Sequence, residues 1–195
     1  MINTNVICSI LLAALLFPLT ANSTVIINVT ETGGGVVFDI NGSLDLTGAT
    51  ASGGGSAYGL GIIPGGSNWY VAGGSGGSWE SYAMTSYDGA FGTSTSYFSS
   101  PTSTSGDDFF IWGQGGAVEQ VGVYSGYISG DNITSGLTFG GSTLASLSLI
   151  IGSYEYDIFN DNIVLNITAV SVPEPGSLAL FALGLAAVGF SRRKA

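Results

Sequence analysis

The chain has 195 residues, 32 of them Gly, with 13 acidic side chains, three basic ones, one Cys and no His. That length allows one domain plus targeting segments. No His and a single thiol, Cys8, exclude imidazole acid–base catalysis, an intrachain disulfide, a thiolate zinc cluster and an iron–sulfur site.

Charge is unevenly placed. The basic residues are Arg192, Arg193 and Lys194, next to the last position. From Thr24 to Val172 there is no Lys or Arg, yet this stretch holds every acidic residue except Glu174. Such a body repels polyanions, which excludes nucleic-acid binding and a Lys-dependent phosphate loop. Ion pairs cannot form within it, so apolar burial, backbone hydrogen bonds or a bound cation must hold it together.

At the N-terminus, Val6 to Leu19 reads VICSILLAALLFPL. It is short for a membrane span and has the length of the apolar region of a secretory signal peptide. Met1 to Asn5 departs from that pattern in having no Lys or Arg. Thr20-Ala21-Asn22-Ser23 follows, and cleavage after Ser23, with Ala21 at −3, is preferred to cleavage after Ala21. Residues 1–23 are therefore read as an export signal for the Sec translocon, with Cys8 an inert residue of the removed peptide.

Residues 24–171 are read as one Gly-rich, acidic, mainly β domain, a β-sandwich or jelly-roll-like fold of about nine or ten strands. Thr24–Thr30 and Gly35–Ile40 are predicted strands around the turn Thr32-Gly33-Gly34. Asn41-Gly42 is a predicted hairpin turn leading into Ser43–Leu46. Further predicted strands are Tyr58–Ile63, Asn68–Ala72, Trp79–Met84, Phe109–Trp112, Val118–Tyr127, Leu144–Ile151 and Asn162–Val170. The Ser/Thr/Gly-rich stretch Gly92–Gly106 reads as a mobile loop. No body segment carries a capped helical period. The glycine runs lack the context of a phosphate or dinucleotide loop.

Two sets of side chains are candidates for chemistry. Trp69, Tyr70 and Trp79 flank the loop Gly73–Gly77 and form a possible exposed platform for stacking a sugar. Asp107, Asp108, Asp157 and Asp161 are candidate calcium ligands in Asp/Asn-rich loops, though neither group has EF-hand spacing; ordinary turn chemistry competes with that reading. No cofactor and no catalytic residue is assigned.

The C-terminus has three parts. Val172-Pro173-Glu174-Pro175 is stiff and extended, because two prolines remove two N–H donors and bias their neighbours away from helix. Gly176 to Phe190, GSLALFALGLAAVGF, is apolar on all faces and reads as a short transmembrane helix. Residues 191–195 carry the cluster Arg192-Arg193-Lys194, which places this end in the cytoplasm by the positive-inside rule.

This order of Pro-Glu-Pro, short helix and terminal basic cluster resembles the PEP-CTERM sorting signal. The resemblance covers about 23 residues, 172–194. It implies recognition and cleavage by an exosortase, a membrane-embedded cysteine transpeptidase of exopolysaccharide-producing Gram-negative bacteria. The implied route anchors the chain transiently in the inner membrane with its body in the periplasm, then delivers that body to the cell surface or matrix. Three readings of the body remain open: a non-enzymatic surface or matrix protein, a carbohydrate-binding module acting on exopolysaccharide, and a glycoside hydrolase using carboxylates alone.

Overall fold

The computed structural model describes residues 23–93, 98–115 and 118–169. The predicted signal peptide as far as Asn22, Pro173-Glu174-Pro175, the apolar segment 176–190 and the basic cluster Arg192-Arg193-Lys194 lie outside the described residues.

Among the described residues there are thirteen strands: β1 (Thr24–Thr32), β2 (Gly35–Ser43), β3 (Ala51–Gly55), β4 (Gly61–Ile63), β5 (Asn68–Gly73), β6 (Trp79–Ala83), β7 (Ser86–Tyr87), β8 (Ser103–Gly106), β9 (Phe109–Gln114), β10 (Gln120–Tyr124), β11 (Asn132–Gly140), β12 (Gly152–Ile158) and β13 (Asp161–Thr168). They form a seven-stranded sheet in the order β7-β12-β13-β1-β2-β11-β8 and a six-stranded sheet in the order β3-β6-β10-β9-β5-β4. β1 and β13 run parallel, so the larger sheet is mixed and departs from the all-antiparallel arrangement of a jelly roll.

Alternation along the strands builds the core. Val25, Ile27 and Val29 of β1 point inward beside Val36, Phe38 and Ile40 of β2 and Ile163, Leu165 and Ile167 of β13. The other sheet contributes Trp69 and Val71 of β5, Phe109 and Ile111 of β9, and Val121 and Val123 of β10 to the same buried cluster. The rings of Trp69 and Tyr156 bring the sheets together, with centroids 4.9 Å apart. A buried Val, Leu, Ile or Phe side chain stabilises by about 1.5–3 kcal/mol, which suits a body without internal ion pairs.

Several expectations need correction. Asn41-Gly42 is no hairpin turn: both residues lie inside β2, where Asn41 pairs with Ile26 and Gly42 with Ile133. Gly42 has φ 140°, and a Cβ there would lie 2.0 Å from the Thr24 carbonyl oxygen. The turn expected at Thr32-Gly33-Gly34 is present, with Gly33-Gly34 joining β1 to β2. Of Ser43–Leu46 only Ser43 is in a strand; Leu44 is buried outside it, its N–H donated to the Tyr127 hydroxyl at 2.8 Å.

Leu144–Ile151 is not a strand either. Thr143 and Ser146 bond reciprocally, each amide N–H donating to the other's hydroxyl, which winds the segment into turns that tuck Leu144, Leu147 and Leu149 inward. In the stretch read as a mobile loop, Ser103–Gly106 is strand β8, paired with β11.

Candidate functional site

The β-strand period decides what the predicted platform residues do. Trp69 and Tyr70 are adjacent in β5 and so face opposite sides of the sheet. Trp69 turns inward and is only 4% exposed, which removes it from the platform. Its ring leans over Gly113, the residue it pairs with on β9, where an added Cβ would meet the indole at 2.0 Å. Tyr70 faces outward with Trp112 beside it.

The outer face of the six-stranded sheet has a tall row and a recessed row. Ile63, Tyr70 and Trp112 stand side by side across β4, β5 and β9. In the next row, Gly61, Ala72, Phe110, Gly122 and Ser81 lie side by side, and Phe110 is the one large residue. Its ring settles over Gly122, where an added Cβ would lie 2.0 Å from Phe110 Cε1. Phe110 thus becomes a floor, and Trp79 stands against it edge to face, with centroids 5.1 Å apart and planes at 83°. Tyr58, Gly59 and Phe98 complete the rim of a cavity of about 310 Å³ lined almost wholly by apolar atoms.

Three polar atoms on these rings are already committed to the backbone. The Tyr58 hydroxyl donates to the Gly73 carbonyl at 2.5 Å, the Tyr70 hydroxyl to Gly59 at 2.6 Å, and Trp79 Nε1–H to Ala57 at 3.1 Å. Burial raises both phenols above their usual range, and at Tyr58 the Asp108 charge adds to it.

The Gly73–Gly77 loop, whose Gly73 carbonyl takes the Tyr58 hydroxyl, is held by one carboxylate. Asp108 Oδ1 accepts the amide N–H of Ser75 and of Gly76, the latter at 2.9 Å, while Oδ2 accepts that of Gly77 at 2.9 Å. Gly74 and Gly76 take positive φ, which aims successive N–H groups at one carboxylate. Burial pushes the Asp108 carboxyl up, but the Ser75 amide, the Ser75 hydroxyl and the Gly77 amide together hold it below the usual aspartate range.

Two of the other calcium candidates, Asp107 and Asp161, are also engaged. Asp107 Oδ2 accepts the Thr134 N–H at 2.9 Å. Asp161 accepts the Asp45 N–H at 2.7 Å, the Asn162 N–H at 2.8 Å and the Ser23 hydroxyl. Asp157 and Asp161 line a polar hollow with Asn160 and Asn162. Among the described residues no three His, Cys, Asp or Glu side chains converge where they could hold a metal ion, and the structure does not bring Asp107 and Asp108 into the hollow lined by Asp157 and Asp161.

Sequence reading missed Tyr58, Phe98, Phe110 and Trp112 as cavity residues. The available signal was Phe109-Phe110-Ile111-Trp112: a strand apolar on both faces has a second face with something to cover it or bind to it.

Past the end of β13 at Thr168, residues 171–194 match the PEP-CTERM protein-sorting motif. The chain carries a PEP-CTERM sorting signal. That assignment makes it an exported protein addressed to an exosortase and sorted at a membrane. Comparison with curated proteins and with solved structures returned no match.

Proposed function

We propose that the body is a non-enzymatic surface or extracellular-matrix domain. In this reading the Sec translocon exports it into the periplasm of a Gram-negative cell, and the exosortase releases it by cutting at Pro173-Glu174-Pro175. The observation that carries the proposal is the sorting match over 171–194, which begins three residues beyond β13. No further folded element fits between the sandwich and the tether.

The parallel pairing of β1 and β13 favours delivery of an intact cargo. Thr24 sits opposite Asn162, and Thr30 opposite Thr168. The export junction and the sorting tail therefore leave opposite ends of the same strand pair, about 20 Å apart at the usual strand rise. Among the described residues the buried cluster runs from Val25 to Ile167, between the two expected cuts. The engagement of the Asp161 oxygens by Asp45 and Asn162 amides supports a structural role there over a glycosidase acid.

A carbohydrate-binding module is the second reading. Tyr70 and Trp79 support it by sharing the aromatic cavity. The commitment of their polar atoms to backbone carbonyls favours the first, since a sugar needs hydrogen bonds as well as a stacking face.

The test is to replace Pro173, Glu174 and Pro175 together by Ala and fractionate the cells. The expected outcome is an unprocessed chain retained in the membrane fraction. Normal delivery of a shortened body would refute the proposal.

A further inference from the structure

We propose that the aromatic cavity on the outer face of the six-stranded sheet binds a quaternary ammonium group. Six aromatic side chains surround it: Tyr58, Tyr70, Trp79, Phe98, Phe110 and Trp112. Phe110 forms the floor and Trp79 a wall nearly perpendicular to it, while Tyr58 and Tyr70 tilt against Phe110 at centroid distances of 5.3 and 6.2 Å. Rings at several tilts around one small space give a cation more than one π system to approach. That arrangement suits a cation wrapped in methyl groups.

Charge selects the ligand's sign. The body from Thr24 to Val172 contains acidic residues and no Lys or Arg, so its field enriches cations at the surface and depletes anions. Asp108 sits behind Tyr58, and its charge is felt at the Tyr58 hydroxyl. An anionic ligand would meet no compensating group there.

Polarity selects the kind of cation. The hydroxyls of Tyr58 and Tyr70 and the Trp79 N–H point into backbone carbonyls. A primary ammonium or a neutral sugar would lose its hydrogen bonds to water on entering and recover few. A trimethylammonium group has no N–H to satisfy, so desolvation costs it least. A volume of about 310 Å³ is at the small end for ligand sites, roughly 300–1,000 Å³, and fits a headgroup better than an extended chain.

The test uses the full chain in phosphatidylglycerol nanodiscs, which contain neither sugar nor quaternary ammonium, with empty discs subtracted. Calorimetric titrations compare choline, its neutral isostere 3,3-dimethylbutan-1-ol, and cellobiose. Choline is expected to bind at least roughly ten-fold tighter than the isostere, the size of one to two desolvated cation–π contacts. Trp79→Leu and Trp112→Leu keep apolar bulk without the indole face, and each is expected to weaken choline by roughly ten-fold. Circular dichroism identifies any variant that fails to fold, and the other variant then carries the comparison. Equal binding of choline and the isostere, saturable cellobiose binding without choline binding, or no saturable choline heat would each overturn the proposal.

Discussion

Asp108 and Gly77 meet across 31 positions of sequence, with Asp108 Oδ2 accepting the Gly77 amide N–H at 2.9 Å. With the Ser75 and Gly76 amides on the other oxygen, one carboxylate fixes a loop that is otherwise glycine and serine. Asp108→Asn turns an NH₂ group toward amide donors and is expected to destabilise the body by about 2–3 kcal/mol, read as a lower denaturant midpoint.

The same contact has a pH signature. The folded Asp108 pKa is held below its usual value, so the stabilisation is present above about pH 4 and is lost as the pH falls through the depressed folded value. Acid titration of stability in the wild type should show this loss, and Asp108→Asn should lack its share. Asp45, held low by the Thr47 and Ser129 hydrogen bonds, keeps a loss of the same sign in both.

Glycine is structural where aromatic rings lie flat on a neighbouring strand. A Cβ at Gly113 would strike the Trp69 indole, and one at Gly122 would strike the Phe110 ring, each at 2.0 Å. Gly113→Ala and Gly122→Ala are each expected to cost about 1–3 kcal/mol through overpacking, measured by chemical unfolding. Gly122→Ala also displaces the cavity floor and should shift tryptophan emission from Trp79, which packs on Phe110.

Much of the fold was legible where one face is apolar and the other polar. The alternation of Val25, Ile27 and Val29, and of Ile163, Leu165 and Ile167, located β1 and β13 from residue types alone. β11 escaped because Ser135 occupies an inward position between Ile133 and Leu137, so the apolar pattern breaks. Ser135 is there because Gly73 of the facing sheet comes close, a Cβ on Gly73 lying 2.5 Å from Ser135 Oγ. That demand is set across the core and leaves no local trace. β3, Ala-Ser-Gly-Gly-Gly, pairs with β6 through its backbone and one side-chain contact, Ser52 to Ser81, and resembles a loop in its residue types. The cavity was half legible: Tyr70 and Trp79 are in it, but the strand period sends Trp69 to the core.

Salt should stabilise the body. With no Lys or Arg between Thr24 and Val172, screening has only repulsions to weaken there. The melting temperature is expected to rise as NaCl increases from about 10 to 150 mM, over which the Debye length falls from about 30 to 8 Å. A fall would show that attractive pairs dominate.

Alkaline conditions should reveal the buried phenols. Burial raises Tyr58, Tyr70 and Tyr156 well above the ordinary phenolic value near 10. Their contribution to stability is therefore full below about pH 10 and declines as the pH rises beyond it. Absorbance at 295 nm should show these tyrosines ionising together with loss of the fold, while exposed tyrosines titrate earlier.

The C-terminus of the delivered protein tests the sorting account most directly. Mass spectrometry of the body recovered from the cell surface or medium should find a last residue at or near Pro173-Glu174-Pro175, free or joined to an acceptor, and no peptide from 176–195. Recovery of delivered protein that still ends in Arg192-Arg193-Lys194-Ala195 would contradict it.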